Sequence, residues 1–337
     1  MTGVQTCALP ICNVLEIGNP SLAPNINLLY GLPQAQSYDA IDLRTYKEKF
    51  DLAFPIKNHW GKVEDFTYEN LKRFGIKYMI SDFNVNFTRQ HVQPVYKSVI
   101  GPLTNNSSID VTFIPTAESL SEVRFLPANY NRNNHCNIVL EIIDTSTGEL
   151  IDRQGVNCLD ILDKMFFTAD LKNAKLSLKK MYKLKIYAQN TSDKNQIGIW
   201  GYDNKPFVEL FYNNNSNKYK FLTQEKNLKL FEVPDVDVIE GIDDYHIVYN
   251  DASRFSFVYD SPITANVLVK RNFYPGWEGL LDDKKLQVEN AKPFIIVSIP
   301  PGIHRVSIAY NPLSFKAGLL VSVIALITLV LLSKGKN

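Results

Sequence analysis

The residues of this sequence that could carry catalysis are its histidines and acids, and their spacing forms no catalytic or metal-binding motif. No histidine pair has the spacing of a zinc-binding helix, and the five histidines are scattered: His59, His91, His135, His246 and His304. Adjacent acids occur at Asp243–Asp244 and at Asp282–Asp283, where turn-forming neighbours favour solvated turns over acid–base chemistry. The sequence also lacks a GxSxG motif, a phosphate-binding loop and a GxGxxG motif. We therefore expect no catalytic residue, no metal ion and no cofactor in this chain.

Binding chemistry is better supported than catalysis, and its strongest candidates are Trp200 and Tyr202 in the segment GIWGYD. Exposed aromatic rings on a β-structure can stack on the apolar faces of sugars, and both side chains also carry a polar group. The alternative is that Trp200 is a core residue, which is common in β-sandwiches. We expect Trp277, which follows a Pro-Gly turn, to pack in a core.

The first residues, MTGVQTCALPIC, differ in composition from the rest of the chain. They carry no charge and no continuous apolar run, so they do not read as a signal peptide. Residues 1–11 resemble a translated sequencing adapter, and we therefore exclude 1–12 from the expected fold. On this interpretation the natural protein continues upstream of Asn13.

Outside that segment the cysteines are Cys136 and Cys158, and no CxxC pair exists, which leaves a zinc ribbon or a thioredoxin-type motif unsupported. The stretch TSTG, residues 145–148, predicts a turn between two strands. A hairpin folded about Thr147 would make the two cysteines cross-strand neighbours, close enough for a disulfide. The alternative is two unpaired buried thiols, because a one-residue slip of register would separate them.

Composition and pattern predict a mainly β chain. The net charge is +1, so nucleic acid is not an implied partner, and the 45% hydrophobic content is typical of a chain with a buried core. Residues 13–104 mix strands with a helix capped at Asp65 or Thr67, which predicts a small α/β lobe. Residues 105–232 read as short strands separated by turns, typical of a jelly-roll-like β-sandwich. Residues 233–312 predict a second, small β-sandwich.

The C-terminal stretch AGLLVSVIALITLVLLS, residues 317–333, contains no charge. As a helix it would be about 25 Å long, close to the thickness of a hydrocarbon core. We therefore predict a transmembrane helix over 313–333, with the lipid bilayer as a partner, rather than a buried core helix. The basic tail 334–337 would be cytoplasmic by the positive-inside rule, and the bulk of the chain would be extracytoplasmic.

The last β unit carries a run of short motifs. They are Tyr274-Pro275-Gly276-Trp277, an Asp-x-Lys-Lys hairpin, Pro301-Gly302-x-His304 and Tyr310-x-Pro312-x-Ser314-Phe315, followed by the apolar stretch. This combination resembles the C-terminal part of the bacterial YfhO-type membrane proteins. The segments around VTFIPTAESLSEVRFLPANY and PNINLLYGL are also similar to theirs, so that the resemblance covers nearly all of 13–337. One departure is Asp283, which occupies the place of the usual hairpin glycine; an aspartate tolerates that conformation.

The resemblance implies a polytopic, GT-C-like glycosyltransferase that uses lipid-phosphate sugars and acts on cell-envelope polymers such as teichoic acids. Its catalytic acid would lie upstream, so no catalytic residue is carried over to this chain. We therefore expect an extracytoplasmic C-terminal region at a bacterial cell membrane that contacts envelope glycan or a lipid-linked sugar. The alternative is a single-span, surface-anchored carbohydrate-binding or adhesion protein. A hydrolase is weakly supported, because no nucleophile or metal constellation occurs.

Overall fold

The computed structural model describes residues 13–17, 66–93, 96–161, 165–225, 228–251, 253–313, 317–318 and 321–327. They fall into two compact units. Unit 1 contains residues 13–15, 66–77 and the described residues from 235 onward. Unit 2 contains residues 16–17 and the described residues from 78 to 234.

Nearly all the regular structure in the described residues is β-strand. Up to residue 232 the elements are β1 (Asn13–Ile17), α1 (Tyr68–Arg73), β2 (Ile76–Ser81), β3 (Thr88–Gln93), β4 (Ser98–Leu103), β5 (Ser108–Phe113), β6 (Ser119–Phe125), β7 (Pro127–Ala128), β8 (Asn137–Asp144), β9 (Leu150–Asn157), a 3-10 helix (Cys158–Asp160), β10 (Phe167–Lys175), β11 (Tyr182–Gln189), β12 (Ile197–Tyr202), β13 (Lys205–Pro206), β14 (Val208–Tyr212), β15 (Lys220–Glu225) and β16 (Leu228–Glu232). The later strands are β17 (Ile239–Glu240), β18 (Tyr245–Asn250), β19 (Arg254–Ser261), β20 (Ala265–Asn272), β21 (Trp277–Leu281), β22 (Lys284–Leu286), β23 (Glu289–Asn290), β24 (Phe294–Ile299) and β25 (Gly302–Tyr310).

The centre of unit 2 is a β-sandwich. Its two sheets have the orders β10-β6-β14-β3 and β5-β11-β8-β9. If these eight strands are numbered along the chain, the orders become 6-3-8-1 and 2-7-4-5, which is the strand arrangement of a jelly roll. One buried apolar cluster joins the two sheets, with members from both that include Val123, Leu210, Leu140 and Ile186.

Alternation of side chains explains how the sandwich strands form. Along β11 every second residue is buried, beginning with Tyr182 and Leu184, and the lysines between them point away from the core. A period of two is what a strand with one buried face requires. Two smaller sheets complete this part of the chain, in the orders β13-β12-β4, with β7 beside β12, and β1-β2-β16-β15.

Unit 1 is a second β structure with one short helix. Its sheets have the orders β17-β20-β24-β23 and β18-β19-β25-β21-β22. Thr67 caps α1 by accepting a 3.2 Å hydrogen bond from the Asn70 backbone N–H, and buried Lys270 of β20 donates a 2.8 Å hydrogen bond from Nζ to the Lys72 carbonyl near the helix end. Phe74 also lies edge-on against Phe294 of β24, with ring centroids 5.8 Å apart. The helix is therefore attached to the sheet by both polar and apolar contacts.

The expected transmembrane helix over 313–333 is a wrong prediction for the described part of the chain. Among the described residues, no helix is both long and apolar enough to cross a membrane. The longest helical run there is 321–327, which at 1.5 Å per residue rises about 10 Å against a hydrocarbon core of about 30 Å. The apolar composition of the segment was thus not sufficient evidence for a span. The rest of the predicted span and the tail 334–337 lie outside the described residues.

Candidate functional site

Trp200 lies on β12, and its position is set by close backbone packing of that strand. Its backbone N–H donates to the Leu126 carbonyl, and its own carbonyl accepts from Phe207 N–H, both at 2.8 Å. The neighbouring glycines of GIWGY permit this approach, because a Cβ at Gly201 would lie 2.1 Å from the Lys205 carbonyl oxygen. The indole is partly buried against Leu126, Phe166 and Phe207. Trp200 is therefore neither a fully buried core residue nor a freely exposed one.

Tyr202, two residues along the same strand, presents its ring to solvent. It is 44% exposed, and the Lys97 ammonium lies 4.8 Å from the ring centroid. The neighbouring Tyr96 is 39% exposed and stands edge-on to Phe166 and Phe207, with centroids 5.9 and 5.5 Å away. We call Tyr96, Lys97, Trp200 and Tyr202 the aromatic patch. The sequence pointed to Trp200 and Tyr202, whereas Tyr96 and Lys97 were missed because they come from a distant segment.

A buried charge cluster lies behind the patch. Arg124 of β6 binds Asp82 and Glu209 through hydrogen bonds of 3.0 and 2.8 Å, and Glu209 also contacts His91 Nδ1 at 2.7 Å. The Arg124 guanidinium carbon lies 4.1 Å from the ring centroid of Phe166, which in turn packs under Trp200. The charge cluster therefore contacts the Phe166 ring, against which Trp200 of the aromatic patch packs.

The environment of Glu209 determines its charge. Burial opposes ionisation of this carboxyl, but the hydrogen bond with His91 and the positive charges of Arg124 and Arg89 outweigh it and lower the pKa of Glu209 to about 2. In Glu122, on the same strand as Arg124, burial dominates and raises the pKa, although Lys229 lies 3.2 Å away. Two buried carboxyls on adjacent strands therefore have pKa values shifted in opposite directions.

A groove opens at the side of the unit 2 sandwich, between the edge strands β9 and β10. Its volume is about 490 Å³. Side chains from four separate elements line it, which include Gln154, Asn157, Asp160, Phe167, Asp170 and Gln224. No sequence motif marked this groove, because β9, the 3-10 helix, β10 and β15 each contribute only one or two of these six residues.

The disulfide between Cys136 and Cys158 positions one wall of the groove. The two Cα atoms are 5.2 Å apart, and the register Asn137↔Asn157 of β8 and β9 places the cysteines opposite each other. This is the register of a hairpin folded about Thr147. The 3-10 helix that starts at Cys158 carries Asp160 at the groove, and the Asn157 side chain caps it by accepting from Leu159 N–H at 3.0 Å.

In unit 1, the predicted motif residues join the turn before β21 to the end of β25. Pro275 and Gly276 form the turn, and the Gly276 carbonyl accepts a 2.8 Å hydrogen bond from Asn311 N–H. The Trp277 indole donates to the Asn272 carbonyl at 3.0 Å, and the aromatic rings of the motif face Tyr310, with centroids 5.3 Å away for Trp277 and 6.1 Å for Tyr274. Trp277 is partly exposed at this edge, so its expected place inside a core is a wrong prediction.

His304 and Asp282 close the other end of this motif region. Nδ1 of His304 lies 2.5 Å from Asp282 Oδ2, and its Nε2 lies 3.1 Å from the Pro301 carbonyl oxygen. The hydrogen bond with Asp282 raises the pKa of His304. The pKa of Asp282 is lowered, first by the hydrogen bond from Arg305 N–H and then by His304. Gly302 adopts a φ of 114° next to the imidazole. The contacts of His304 are therefore those of a residue that holds a hairpin, and among the described residues no group of three His, Cys, Asp or Glu could hold a metal ion.

The comparisons with known proteins do not assign this chain to a family. No protein-family model and no curated protein matches the sequence. One matching structure is the dimeric latent PorU from Porphyromonas gingivalis, with 9% identity and a TM-score of 0.22 over 71% of this chain and 21% of that one. Another is a Paenibacillus cycloisomaltooligosaccharide glucanotransferase complexed with cycloisomaltoheptaose, with 8% identity and a TM-score of 0.25 over 68% of this chain and 47% of that one. The chain thus spans less than half the length of either, and likenesses this weak carry no argument about function.

Proposed function

We propose that this chain is the glycan-binding region of a larger cell-envelope glycosyltransferase and that the aromatic patch of unit 2 contacts the sugar. The observation that carries the proposal is the grouping of three aromatic side chains and one lysine on the surface of unit 2, at the small sheet β13-β12-β4. Tyr96 and Tyr202 are exposed, Trp200 is partly exposed, and Lys97 lies beside Tyr202. Stacking of a sugar on such rings needs no rearrangement of the fold, because the Phe166 layer beneath them is already packed.

The transferase part of the proposal rests on the resemblance of the motifs alone. In the described residues, the motif positions from Tyr274 to Pro312 make structural contacts within unit 1, which suits a supporting role beside a catalytic region elsewhere. The chain would then orient an acceptor glycan and would perform no transfer itself.

Sugar binding is tested by titrating the purified chain with envelope glycopolymer and with neutral oligosaccharides in a calorimeter. Each stacked ring is expected to contribute about 1–3 kcal/mol, by analogy with base stacking on aromatic side chains. The Tyr202→Ala variant should therefore raise Kd by about 5-fold to about 150-fold. The matched control is Tyr249→Ala, because Tyr249 of unit 1 is 40% exposed and also has a cation, Arg254, at 4.5 Å. Absence of binding at millimolar ligand would remove the proposal.

The alternative, a self-standing carbohydrate-binding or adhesion protein, is distinguished by the genomic DNA immediately upstream of the Asn13 codon. A reading frame that continues into many apolar spans, with an acidic residue in the first outer loop, supports the transferase. An upstream frame that encodes only a signal peptide supports the binding protein.

A further inference from the structure

The groove between β9 and β10 differs from the rest of the unit 2 surface because it lies between the edges of two sheets. β9 ends the sheet β5-β11-β8-β9, and β10 ends the sheet β10-β6-β14-β3. Asp152 bridges the two edges, since its Oδ2 accepts a 3.1 Å hydrogen bond from Lys172 N–H. The groove lies alongside this bridge and is lined by residues 154–157 of β9 and 167–170 of β10. Its walls are therefore fixed by two sheets, a side-chain bridge and a disulfide.

The side chains that face the groove are of the kind that bind hydroxyl groups. Gln154, Asn157 and Gln224 carry amides, each with one donor and one acceptor group, and Asp160 and Asp170 carry acceptor oxygens. Asn157 Oδ1 accepts from Leu159 N–H and Gln154 Nε2 donates to the Gly155 carbonyl, so the groups that these two amides can offer a ligand are the Asn157 NH₂ and the Gln154 oxygen. Phe167 is partly exposed and adds an aromatic surface. A concave site with a few polar groups and an aromatic ring is the usual form of a small-ligand site.

The charged residues that line the groove restrict the class of ligand that it can bind. Among the described residues that line it, two are acidic and none is lysine or arginine. Lys229 lies 3.3 Å from Asp170, but its side chain is only 5% exposed and also lies 3.2 Å from the buried Glu122. Its ammonium group is therefore already paired with carboxyl groups of the protein. A phosphate-bearing ligand would meet carboxylates without a free cation, and such like-charge contacts are costly.

The edges themselves argue against an added peptide strand. The pairing of β10 with β6 shifts register between Asp170 and Ala174, and an irregularity of this kind prevents an edge from accepting a regular new strand. The Asp152 bridge also occupies the Lys172 N–H on that edge.

We propose that this groove is a second binding site of unit 2 and that it takes an uncharged oligosaccharide rather than a phosphate-bearing polymer. The site is separate from the aromatic patch and goes beyond the proposed function. It assigns the sugar chain of an envelope glycan, and not its anionic backbone, to the groove.

Gly155 allows the groove to be blocked without disturbing the fold. No atom lies within 4 Å of the place where its Cβ would be, and Gly155 lines the groove, so a tryptophan at this position adds an indole at the groove wall. The test titrates the full chain, the Gly155→Trp variant and the Tyr202→Ala variant with neutral hexasaccharides (maltohexaose, cellohexaose and chitohexaose) and, separately, with poly(glycerol phosphate). Glu149→Trp, in the exposed segment before β9, is the control for an added indole. Unchanged circular dichroism and urea midpoints establish that all variants fold.

Support for the inference is a neutral hexasaccharide whose Kd rises at least about tenfold in Gly155→Trp and is unchanged in Glu149→Trp. If hexasaccharide binding is lost only in Tyr202→Ala, the groove inference is overturned while the proposed function stands. If poly(glycerol phosphate) binds and Gly155→Trp blocks it, the assigned ligand class is wrong. If no glycan binds, both the inference and the proposed function are overturned.

Discussion

Arg124 and Glu209 lie directly opposite each other on β6 and β14 and are joined by a 2.8 Å hydrogen bond from Nη1 to Oε2. Their side chains are 0% and 1% exposed. They occupy the face of the sheet opposite to Val123 and Leu210, which point into the sandwich core. At this position both faces of the sheet are therefore buried: apolar residues lie on one face, and a charged cluster lies on the other.

Arg124→Met should strongly destabilise unit 2. The substitution preserves much of the side-chain volume but leaves Asp82 and Glu209 buried without their cation. Removal of one partner from a buried ion pair costs about 3–5 kcal/mol. The measurement is urea denaturation of the full chain, followed by circular dichroism.

The control for this variant is Arg153→Met, which removes an arginine that is 49% exposed and lies 3.6 Å from Glu141. An exposed ion pair contributes at most about 1 kcal/mol, so this variant should remain close to the parent. A loss below about 1 kcal/mol in Arg124→Met would contradict the importance of the cluster.

The lowered pKa of Glu209 predicts how the unfolding free energy changes at acid pH. Its pKa is lowered from the ordinary 4.5 to about 2 in the folded state, so between these values the unfolded chain binds more protons. Its contribution to stability is present above pH 4.5 and is lost as the pH falls through about 2. Glu209→Gln should flatten this part of the profile of unfolding free energy against pH. Glu149→Gln, at an exposed position, should leave the slope unchanged, and equal slopes for both variants would contradict the prediction.

The β-sandwich could be predicted from the sequence because alternation of apolar and polar residues indicates a strand with one buried face. KLKIYAQ alternates, and the structure buries alternate residues of β11. The segment EVRFLPA alternates too, so Glu122 and Arg124 would be assigned to solvent, yet they are 3% and 0% exposed. Their cover comes from distant residues such as Asp82 and Lys229, and no local pattern encodes such a contact. For the same reason, the sequence did not predict the groove or the place of Tyr96 and Lys97 in the aromatic patch.

Removal of the disulfide should destabilise unit 2 by about 3 kcal/mol, a value set mainly by the length of the loop that it closes. Cys136 and Cys158 are separated by 22 positions. The double variant Cys136→Ala/Cys158→Ala should therefore unfold at lower urea, and a reductant should shift the parent chain toward it. The same reductant should leave the double variant unaffected. An unchanged midpoint in the double variant would show that the bridge does not stabilise the fold.

The contact between His304 and Asp282 should be visible in a proton titration. The pKa of His304 is raised above the ordinary 6.5, first by its hydrogen bond with Asp282. The stability from this contact is present below pH 6.5 and is lost as the pH rises through the raised pKa. An NMR titration of the imidazole carbon-bound protons should show the His304 pKa falling toward 6.5 in Asp282→Asn. The neighbouring Asp283→Asn is the control, and an equal fall in both would exclude a specific pair.

Gly276 gives the most direct test of the motif at Tyr274–Trp277. Its φ is 118°, and a Cβ there would lie 2.8 Å from Pro312 Cα, so an alanine would be strained both in its backbone and against Pro312, which follows β25. Gly276→Ala should lower the unfolding free energy of unit 1 by about 1–3 kcal/mol. Gly155→Ala is the matched control, because its Cβ would meet open space, and it should change stability by no more than about 0.5 kcal/mol. The comparison is made by urea denaturation with tryptophan fluorescence, since Trp277 follows Gly276 directly. If the two alanine variants were equally stable, the contact between the turn and Pro312 would not be the reason for glycine at this position.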